Sequence, residues 1–291
     1  MNSIMYVGPF IDDEIDRSEY DSILFLSPLV EDLVKFYISV IAESNAIEPL
    51  DSNTYCLRIE LIERLLEFRP HIPKLATCKG FALPSFFELA ENIYYQDKAL
   101  LLEPNITSAL VFLTRNIVQR FCDLKPLVLL ISETTLHKLS ETGSGLLYGY
   151  KDMFVIESYG YIAEACDTVL ILYVKNLRNT GKIIEKILTE TPNLILSVDL
   201  VDVASQGIPL SILELHKSKT LNIDFAIALE LGKEYISEDE KRTLEKLYNF
   251  YNGRLGIVLK NSRPLVPKPV RVDKYALHRY VRNIIAYPSA S

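Results

Sequence analysis

The chain has 291 residues, 49% of them hydrophobic, and a formal net charge of −7. That hydrophobic content is enough to bury the core of one large domain or of two unequal ones. No segment approaches the ~18 uninterrupted apolar residues of a membrane span, which excludes a transmembrane helix. The N-terminal sequence has neither a basic nor a long apolar region, so we expect no signal peptide and a soluble, cytoplasmic protein.

The four cysteines lie far apart in the sequence, at Cys56, Cys78, Cys122 and Cys166. None forms a C-x-x-C pair, which excludes a zinc ribbon and a dithiol motif. Cys122 and Cys166 lie in apolar periodic segments and are predicted to be small buried side chains. This usage is typical of a reducing compartment.

The first half of the chain alternates apolar strands with amphipathic helices. We predict strands at Ile4–Val7, Ser22–Leu26, Thr54–Ile59, Ala99–Leu102 and Pro126–Ser132. We predict helices at Leu29–Glu43, Leu61–Phe68, Pro84–Tyr95 and Ile106–Cys122.

The second half continues this order and then changes. Thr168–Val174 and Asn193–Val198 are predicted strands, and Lys182–Leu188 is predicted to be a hairpin strand after a turn. Beyond residue 206 helices predominate, with one short strand at Leu255–Leu259. The predicted fold is α/β: a mostly parallel twisted sheet with helices on both faces at 1–205, followed by a small, mainly helical, basic region at 206–291.

The order of these parts resembles the RecA/RadA/KaiC recombinase superfamily over about residues 20–200. In that resemblance Ser22–Leu26 is the strand before the phosphate loop, and Glu60 and Glu103 end the next two strands. Ser132 ends the fourth strand as the polar sensor, and a hairpin follows. The resemblance implies a RecA-like core that packs beside a related ATPase subunit.

The phosphate-binding loop of that superfamily is missing. No G-x-x-x-x-G-K-[ST] string occurs, and residues 27–32 (Ser-Pro-Leu-Val-Glu-Asp) contain neither glycine nor lysine. Glu31 and Asp32 repel a phosphate but complement the positive end of a helix. We therefore expect no bound ATP, and the sequence predicts no cofactor and no metal.

Two carboxylates are the only catalytic candidates. Glu60 and Glu103 follow predicted neighbouring strands, where α/β sheets place their sites, and two such groups suit a divalent metal or an acid–base pair. Equally, they are caps of the following helices or remnants of a lost site. His137, with Glu133 nearby, follows the Pro126–Ser132 strand and is either a ligand contact or a polar surface residue.

The charge is unevenly distributed along the chain. From residue 254 onward only Asp273 opposes eight basic residues, so this segment carries +7 and the rest −14. Such a segment contacts nucleic acid or an acidic partner, forms a solvated surface, or folds back on the acidic body. The candidate contact residues are Arg254, Lys260, Arg263, Lys268, Arg271, Lys274, Arg279 and Arg282.

Three functions remain open from the sequence, which identifies no reaction. The first is a non-catalytic RecA/RadA-like paralogue, a structural or regulatory subunit in DNA recombination or repair with a recombinase or related ATPase partner and DNA on the basic segment. The second is a metal-dependent hydrolase that uses Glu60 and Glu103. The third is a ligand-sensing or nucleic-acid-binding α/β module.

Overall fold

The central feature of the protein, in a computed structural model, is a closed barrel of eight strands. The structure describes residues 4–7, 23–28, 30, 32–50, 54–68, 79–140, 150, 152–177, 180–215, 223–230 and 237–260. The barrel strands are β1 (Ile4–Val7), β2 (Ile23–Ser27), β5 (Gly80–Pro84), β8 (Val128–Glu133), β9 (Val169–Val174), β10 (Leu194–Asp199), β11 (Phe225–Glu230) and β12 (Leu255–Lys260).

All eight contacts between neighbouring barrel strands are parallel, and β1 closes the barrel by pairing with both β2 and β12. Around the barrel the strands follow one another in chain order. Because the strands are parallel, all their C-terminal ends meet at one mouth, where barrels of this architecture place their active sites.

Alternate residues of each strand face opposite sides of the barrel wall. On β9, Val169, Ile171 and Tyr173 belong to the interior cluster, whereas Leu170, Leu172 and Val174 belong to the cluster under the helices. Both faces are apolar, which explains the continuous hydrophobic run of the strand.

Ten helices among the described residues accompany the strands. Their bounds are α1 (Leu33–Ala42), α2 (Ile62–Glu67), α3 (Phe86–Asn92), α4 (Pro104–Cys122), α5 (Leu136–Ser140), α6 (Asp152–Ala163), α7 (Gly181–Glu190), α8 (Leu200–Gln206), α9 (Leu210–Glu214) and α10 (Glu238–Phe250). Asp32 caps α1 by accepting a hydrogen bond from the Lys35 backbone N–H at 2.9 Å, the role that its charge at a helix end indicates.

A small second sheet contains four short strands, β3 (Ile47–Pro49), β4 (Tyr55–Leu57), β6 (Ile93–Tyr95) and β7 (Lys98–Ala99). Its central contact, between β4 and β6, is parallel, and the two outer contacts are antiparallel. Two of the strands predicted for the main sheet, Thr54–Ile59 and Ala99–Leu102, fall in this region. The first is partly β4, and the second is largely a 3₁₀ turn, Leu100–Leu102.

The α/β class and the mostly parallel sheet are confirmed, but the RecA-like core is wrong. A RecA-like sheet is open and covered on both faces, whereas this sheet closes on itself and its interior is filled by its own side chains. The predicted RecA/RadA-like paralogue in DNA recombination and repair, and its recombinase or ATPase partner, depended on that fold and are wrong with it.

The predicted hairpin strand at Lys182–Leu188 is also wrong, because this segment is helix α7. Its buried residues, Ile183, Ile184, Ile187 and Leu188, follow a helical repeat and form one face against the barrel. Beyond residue 206, the described part contributes barrel strands β11 and β12 as well as helices.

Cys122, at the end of α4, and Cys166, just before β9, form a disulfide with a Cα–Cα distance of 5.8 Å. The two cysteines, predicted to be small buried side chains, are partly buried against the core and are joined to each other. The cytoplasmic location stays a prediction. In the described part of the chain, no helix combines the length and the apolar character needed to cross a membrane.

Candidate active site

The inner face of the barrel changes from apolar to polar at the mouth. In its interior lie side chains such as Met5, Leu26, Leu130, Ile171 and Val258. By strand alternation, the last inward positions of five consecutive strands are polar. They are Ser132 on β8, Tyr173 on β9, Asp199 on β10, Glu230 on β11 and Lys260 on β12.

Three of these residues form one hydrogen-bonded cluster. The Tyr173 hydroxyl donates to Asp199 Oδ2 at 2.7 Å, and Lys260 Nζ lies 3.0 Å from Asp199 Oδ1. Lys260 Nζ also donates to the Tyr173 hydroxyl. An ammonium has three N–H groups, so one of them has no acceptor among the described residues.

The small side chains of β11 allow this cluster to form. In the register of the barrel, Asp199 lies beside Ala228, which lies beside Val258. Lys260 is two residues beyond Val258 and has to reach across β11 to meet Asp199. Ala228 faces the interior, and its methyl group leaves room for the lysine chain.

The pKa of Tyr173 is raised far above its usual value, mainly by burial and then by the negative charge of Asp199. The hydroxyl therefore keeps its proton and remains a hydrogen-bond donor. The negative charge of Glu88 contributes to raising this pKa as well.

Glu88 lies in the first turn of α3, the helix that follows β5. Ser85 caps this helix, accepting a hydrogen bond from the Glu88 backbone N–H at 3.1 Å. The Glu88 side chain is 4% exposed, and its Oε1 accepts three hydrogen bonds. The donors are Ser132 Oγ at 3.0 Å, the Thr134 N–H at 2.8 Å and Thr134 Oγ1 at 2.5 Å.

Burial raises the pKa of Glu88 to about 8, and the nearby charge of Glu133 adds to the shift. The hydrogen bonds from Thr134 and Ser132 act in the opposite direction but do not offset burial. No described residue donates to Oε2. Glu88 thus exchanges its proton close to neutral pH through an oxygen with no hydrogen-bond donor, as a general acid or base requires.

The register between β8 and β9 links Glu88 to the cluster of Tyr173, Asp199 and Lys260. Ser132, which holds Glu88, is the direct neighbour of Tyr173 across the β8–β9 pair. Through Ser132, the mouth therefore connects a carboxyl whose pKa is raised to about 8 with a phenol and an ammonium. Such a set can move a proton and stabilise negative charge on a substrate oxygen.

Apolar side chains from β1, β2 and the start of α1 also pack on the barrel interior. They are Val7, Leu24 and Leu33, and all three are partly buried. Val7 is the direct neighbour of Lys260 across the β1–β12 pair. The polar side chains of the mouth therefore meet a hydrocarbon side chain next to Lys260.

The two sequence-predicted carboxylates lie outside the mouth. Glu60 is in a 3₁₀ turn, Ile59–Leu61, after a strand of the small sheet. Glu103 occupies the N-cap position of α4 without making a side-chain cap. Neither residue ends a barrel strand. In the described ranges no group of three or more His, Cys, Asp or Glu residues could hold a metal ion.

Of the eight predicted basic contact residues, the structure describes Arg254 and Lys260. Arg254 forms an ion pair with Asp224 just before β12, at the end of the barrel opposite the mouth. Lys260 is the mouth lysine. Arg263, Lys268, Arg271, Lys274, Arg279 and Arg282 lie outside the described residues, so their contact role stays a prediction.

Sequence analysis missed Glu88, Tyr173 and Asp199. Asp199 carried a usable signal, because it directly follows a predicted apolar strand. Tyr173 lies within an apolar run and resembles a core residue. Glu88 lies on a helix, and only the tertiary structure brings it beside Ser132. His137, the other predicted candidate, lies on α5.

No protein-family model and no curated protein sequence matches the chain. Among solved structures, it is similar to D-psicose 3-epimerase from Clostridium cellulolyticum H10, crystallised with D-tagatose. The identity is 11%, the TM-score is 0.41, and the match covers 78% of this chain and 91% of that one.

A second D-psicose 3-epimerase structure, determined in the presence of D-fructose, matches with 12% identity and a TM-score of 0.38. This match covers 78% of this chain and 85% of that one. Similarity at this level does not extend to activity or substrate, because one fold supports many chemistries.

Proposed function

We propose that the chain is an enzyme that transfers a proton next to the carbonyl group of a small hydroxy-carbonyl compound bound at the barrel mouth. The observation that carries this proposal is the position of Glu88, a buried carboxyl with one oxygen to which no described residue donates. Glu88 is bonded to Ser132, the register neighbour of Tyr173 in the Lys260–Asp199–Tyr173 cluster.

In this reaction Glu88, in its ionised form, takes a proton from the carbon next to the carbonyl. The electron pair of the broken C–H bond moves toward the carbonyl oxygen and gives an enolate. The remaining N–H of Lys260 stabilises the negative oxygen. In an isomerisation, Glu88 returns the proton to the former carbonyl carbon, and the hydroxyl proton on the deprotonated carbon moves to the former carbonyl oxygen. All protons are then accounted for, and no electrons are gained or lost.

Asp199 and Tyr173 fix the direction of the lysine. Asp199 accepts a hydrogen bond from Tyr173 and forms an ion pair with Lys260, which keeps the ammonium at the mouth and the Tyr173 hydroxyl beside it. An ammonium held by a carboxylate is a hydrogen-bond donor, whereas Schiff-base chemistry requires a free amine. The cluster therefore favours charge stabilisation over covalent catalysis by Lys260.

The test is exchange of carbon-bound hydrogen with deuterated water, followed by proton NMR. The panel contains dihydroxyacetone, glyceraldehyde, and free ketoses and aldoses of five and six carbons. We expect the unmodified protein to exchange the hydrogen next to the carbonyl in at least one compound. Glu88→Gln and Lys260→Met each reduce the rate by roughly 100-fold or more.

Lys186→Met is the matched control, because Lys186 is an exposed lysine on α7 that pairs with Asp152. Its exchange rate is expected to equal that of the unmodified protein. Absence of exchange across the whole panel, or an unchanged rate in Glu88→Gln, would contradict the proposed function.

A further inference from the structure

A second buried carboxylate lies directly behind Glu88. Glu133, the last residue of β8, is 0% exposed. Its Oε1 accepts hydrogen bonds from the backbone N–H groups of Thr135 at 2.8 Å and Leu136 at 2.7 Å. Its Oε2 accepts a hydrogen bond from the Tyr159 hydroxyl at 2.5 Å.

One turn of backbone separates the two carboxyl groups. The Thr134 N–H points to Glu88, and the next two N–H groups, of Thr135 and Leu136, point to Glu133. The turn therefore fixes the two carboxyl groups relative to each other.

The distribution of donors decides which carboxyl group holds the proton. Two neighbouring carboxyl groups in a buried site do not both ionise readily, because their negative charges repel each other. Glu133 has donors on both oxygens, which suits a carboxylate, because an ionised carboxyl group only accepts. The described donors to Glu88 all lie on Oε1, so Oε2 can carry the proton. The anion belongs on Glu133 and the proton on Glu88.

The electrostatics agree with this assignment. Burial raises the pKa of Glu133, but hydrogen bonds from Tyr159, Ser85, Thr135 and Leu136 oppose that shift. The pKa of Glu88 rises to about 8, with the charge of Glu133 as the second cause after burial.

We propose that Glu133 is a positioning residue for Glu88, whose buried negative charge keeps the proton on Glu88 and so sets the pH at which this acid–base group works. The inference rests on the proposed function, since it assigns the regulation of the same site. Besides Glu133, two titratable groups interact with Glu88, whose charge raises the pKa of Tyr159 on α6 and of Tyr173 on β9. Among the described residues, Tyr173 in turn contacts the charged groups of Asp199 and Lys260. On its own helix, Glu91 is paired with Lys138 of α5.

The test is a pH titration of the whole protein, labelled with ¹³C at the glutamate carboxyl carbons and followed by NMR. The resonance that is absent from the spectrum of Glu88→Gln is assigned to Glu88. Glu133→Gln keeps the shape and removes the charge, so we expect the Glu88 midpoint to fall by about one pH unit or more. A midpoint that stays or rises in a folded Glu133→Gln protein would overturn the inference.

Ser132→Ala is a control that is expected to shift the Glu88 midpoint in the opposite direction. It removes a donor to the ionised Glu88 and leaves Glu133 intact, so the midpoint is expected to rise. If Glu133→Gln does not fold, Tyr159→Phe replaces it. Loss of the Tyr159 hydrogen bond weakens the Glu133 anion, so the Glu88 midpoint falls by a smaller amount. An unchanged midpoint in Tyr159→Phe then contradicts the inference.

This titration needs no substrate, so it separates the two proposals. A lowered midpoint without deuterium exchange supports the coupling and contradicts the enzymatic function. Exchange with an unchanged midpoint supports the function and contradicts the role of Glu133. When both hold, Glu133→Gln also shifts the pH profile of exchange downward, which a merely structural residue does not do.

Discussion

Glu88 shows how strongly one buried residue can depend on its surroundings. Its first-turn position on α3 is ordinary for a glutamate, because carboxylates are favourable near the positive end of a helix. Here the side chain is buried against β8 beside a second carboxyl group, and its pKa rises to about 8. The protein therefore carries an unfavourable charge at the mouth whenever this group ionises.

This burial predicts a pH-dependent stability. Folded Glu88 keeps its proton up to about pH 8, whereas an unfolded glutamate loses it near 4.5. The unfolded chain therefore binds fewer protons between these values, and the free energy of unfolding falls as the pH rises through this window. Glu88→Gln cannot ionise and lacks this decline.

The measurement is urea unfolding of both proteins at about pH 5 and about pH 9. The free energy of unfolding of Glu88→Gln, relative to that of the unmodified protein, is expected to increase by up to roughly 4 kcal/mol from the lower pH to the higher. Glu157→Gln, at an exposed position of α6, is the control and is expected to show no such increase. If the free energy of unfolding changed with pH by the same amount in all three proteins, Glu88 would not titrate as a buried group.

The strands fit together because small and large interior side chains alternate around the barrel. Gly80 on β5 is packed so closely that an added Cβ would lie 2.4 Å from Leu26 Cδ2 and 3.2 Å from the Val128 carbonyl oxygen. Leu26 is fully buried and has little space to move. The β2–β5–β8 contact thus requires glycine at this position.

Gly80→Ala is therefore expected to destabilise the protein by about 1–3 kcal/mol through overpacking. Gly256→Ala is the comparison, because its nearest atom, Ile223 Cγ2, would be 3.1 Å away and its nearest neighbours include no backbone atom. Urea unfolding should give a smaller loss for Gly256→Ala. Equal losses in the two variants would show that close packing at Gly80 is not the cause.

The whole molecule is tied together on one side by the Cys122–Cys166 disulfide. It connects the end of α4 with the segment entering β9, across 44 residues that include β8 and α6. A cross-link across a long loop stabilises a protein mainly by restricting the unfolded chain.

Removing this cross-link is expected to lower the free energy of unfolding by about 3 kcal/mol. The measurement compares the Cys122→Ala/Cys166→Ala double variant with the unmodified protein in urea, without reductant. A non-reducing digest should also contain the two cysteine peptides joined. Cys56→Ala, which removes a free cysteine, is the control. Recovery of the two peptides as separate thiols would show that the bond is absent and would favour the cytoplasmic prediction.

Local sequence determined most of the strands, the helix cap at Asp32 and the absence of a phosphate loop. Runs such as Thr168–Val174 and Asn193–Val198 are continuous and apolar, so their strand character is encoded within a few residues. β5 and β11 were missed for a physical reason. β5 begins with glycine and ends with proline, and the alanines and Leu229-Glu230 of β11 are not typical of strands.

Closure of the barrel and assembly of the site were decided only by tertiary structure. Without β5 and β11 the predicted strands resemble an open sheet, and no local pattern states that β1 pairs with β12. The same holds for the mouth. Glu88 and Ser132 are 44 residues apart, and Lys260 and Tyr173 are 87 apart. Strand character depends on neighbouring residues, but barrel register depends on packing between distant segments, and that packing brings the polar ends of the strands together.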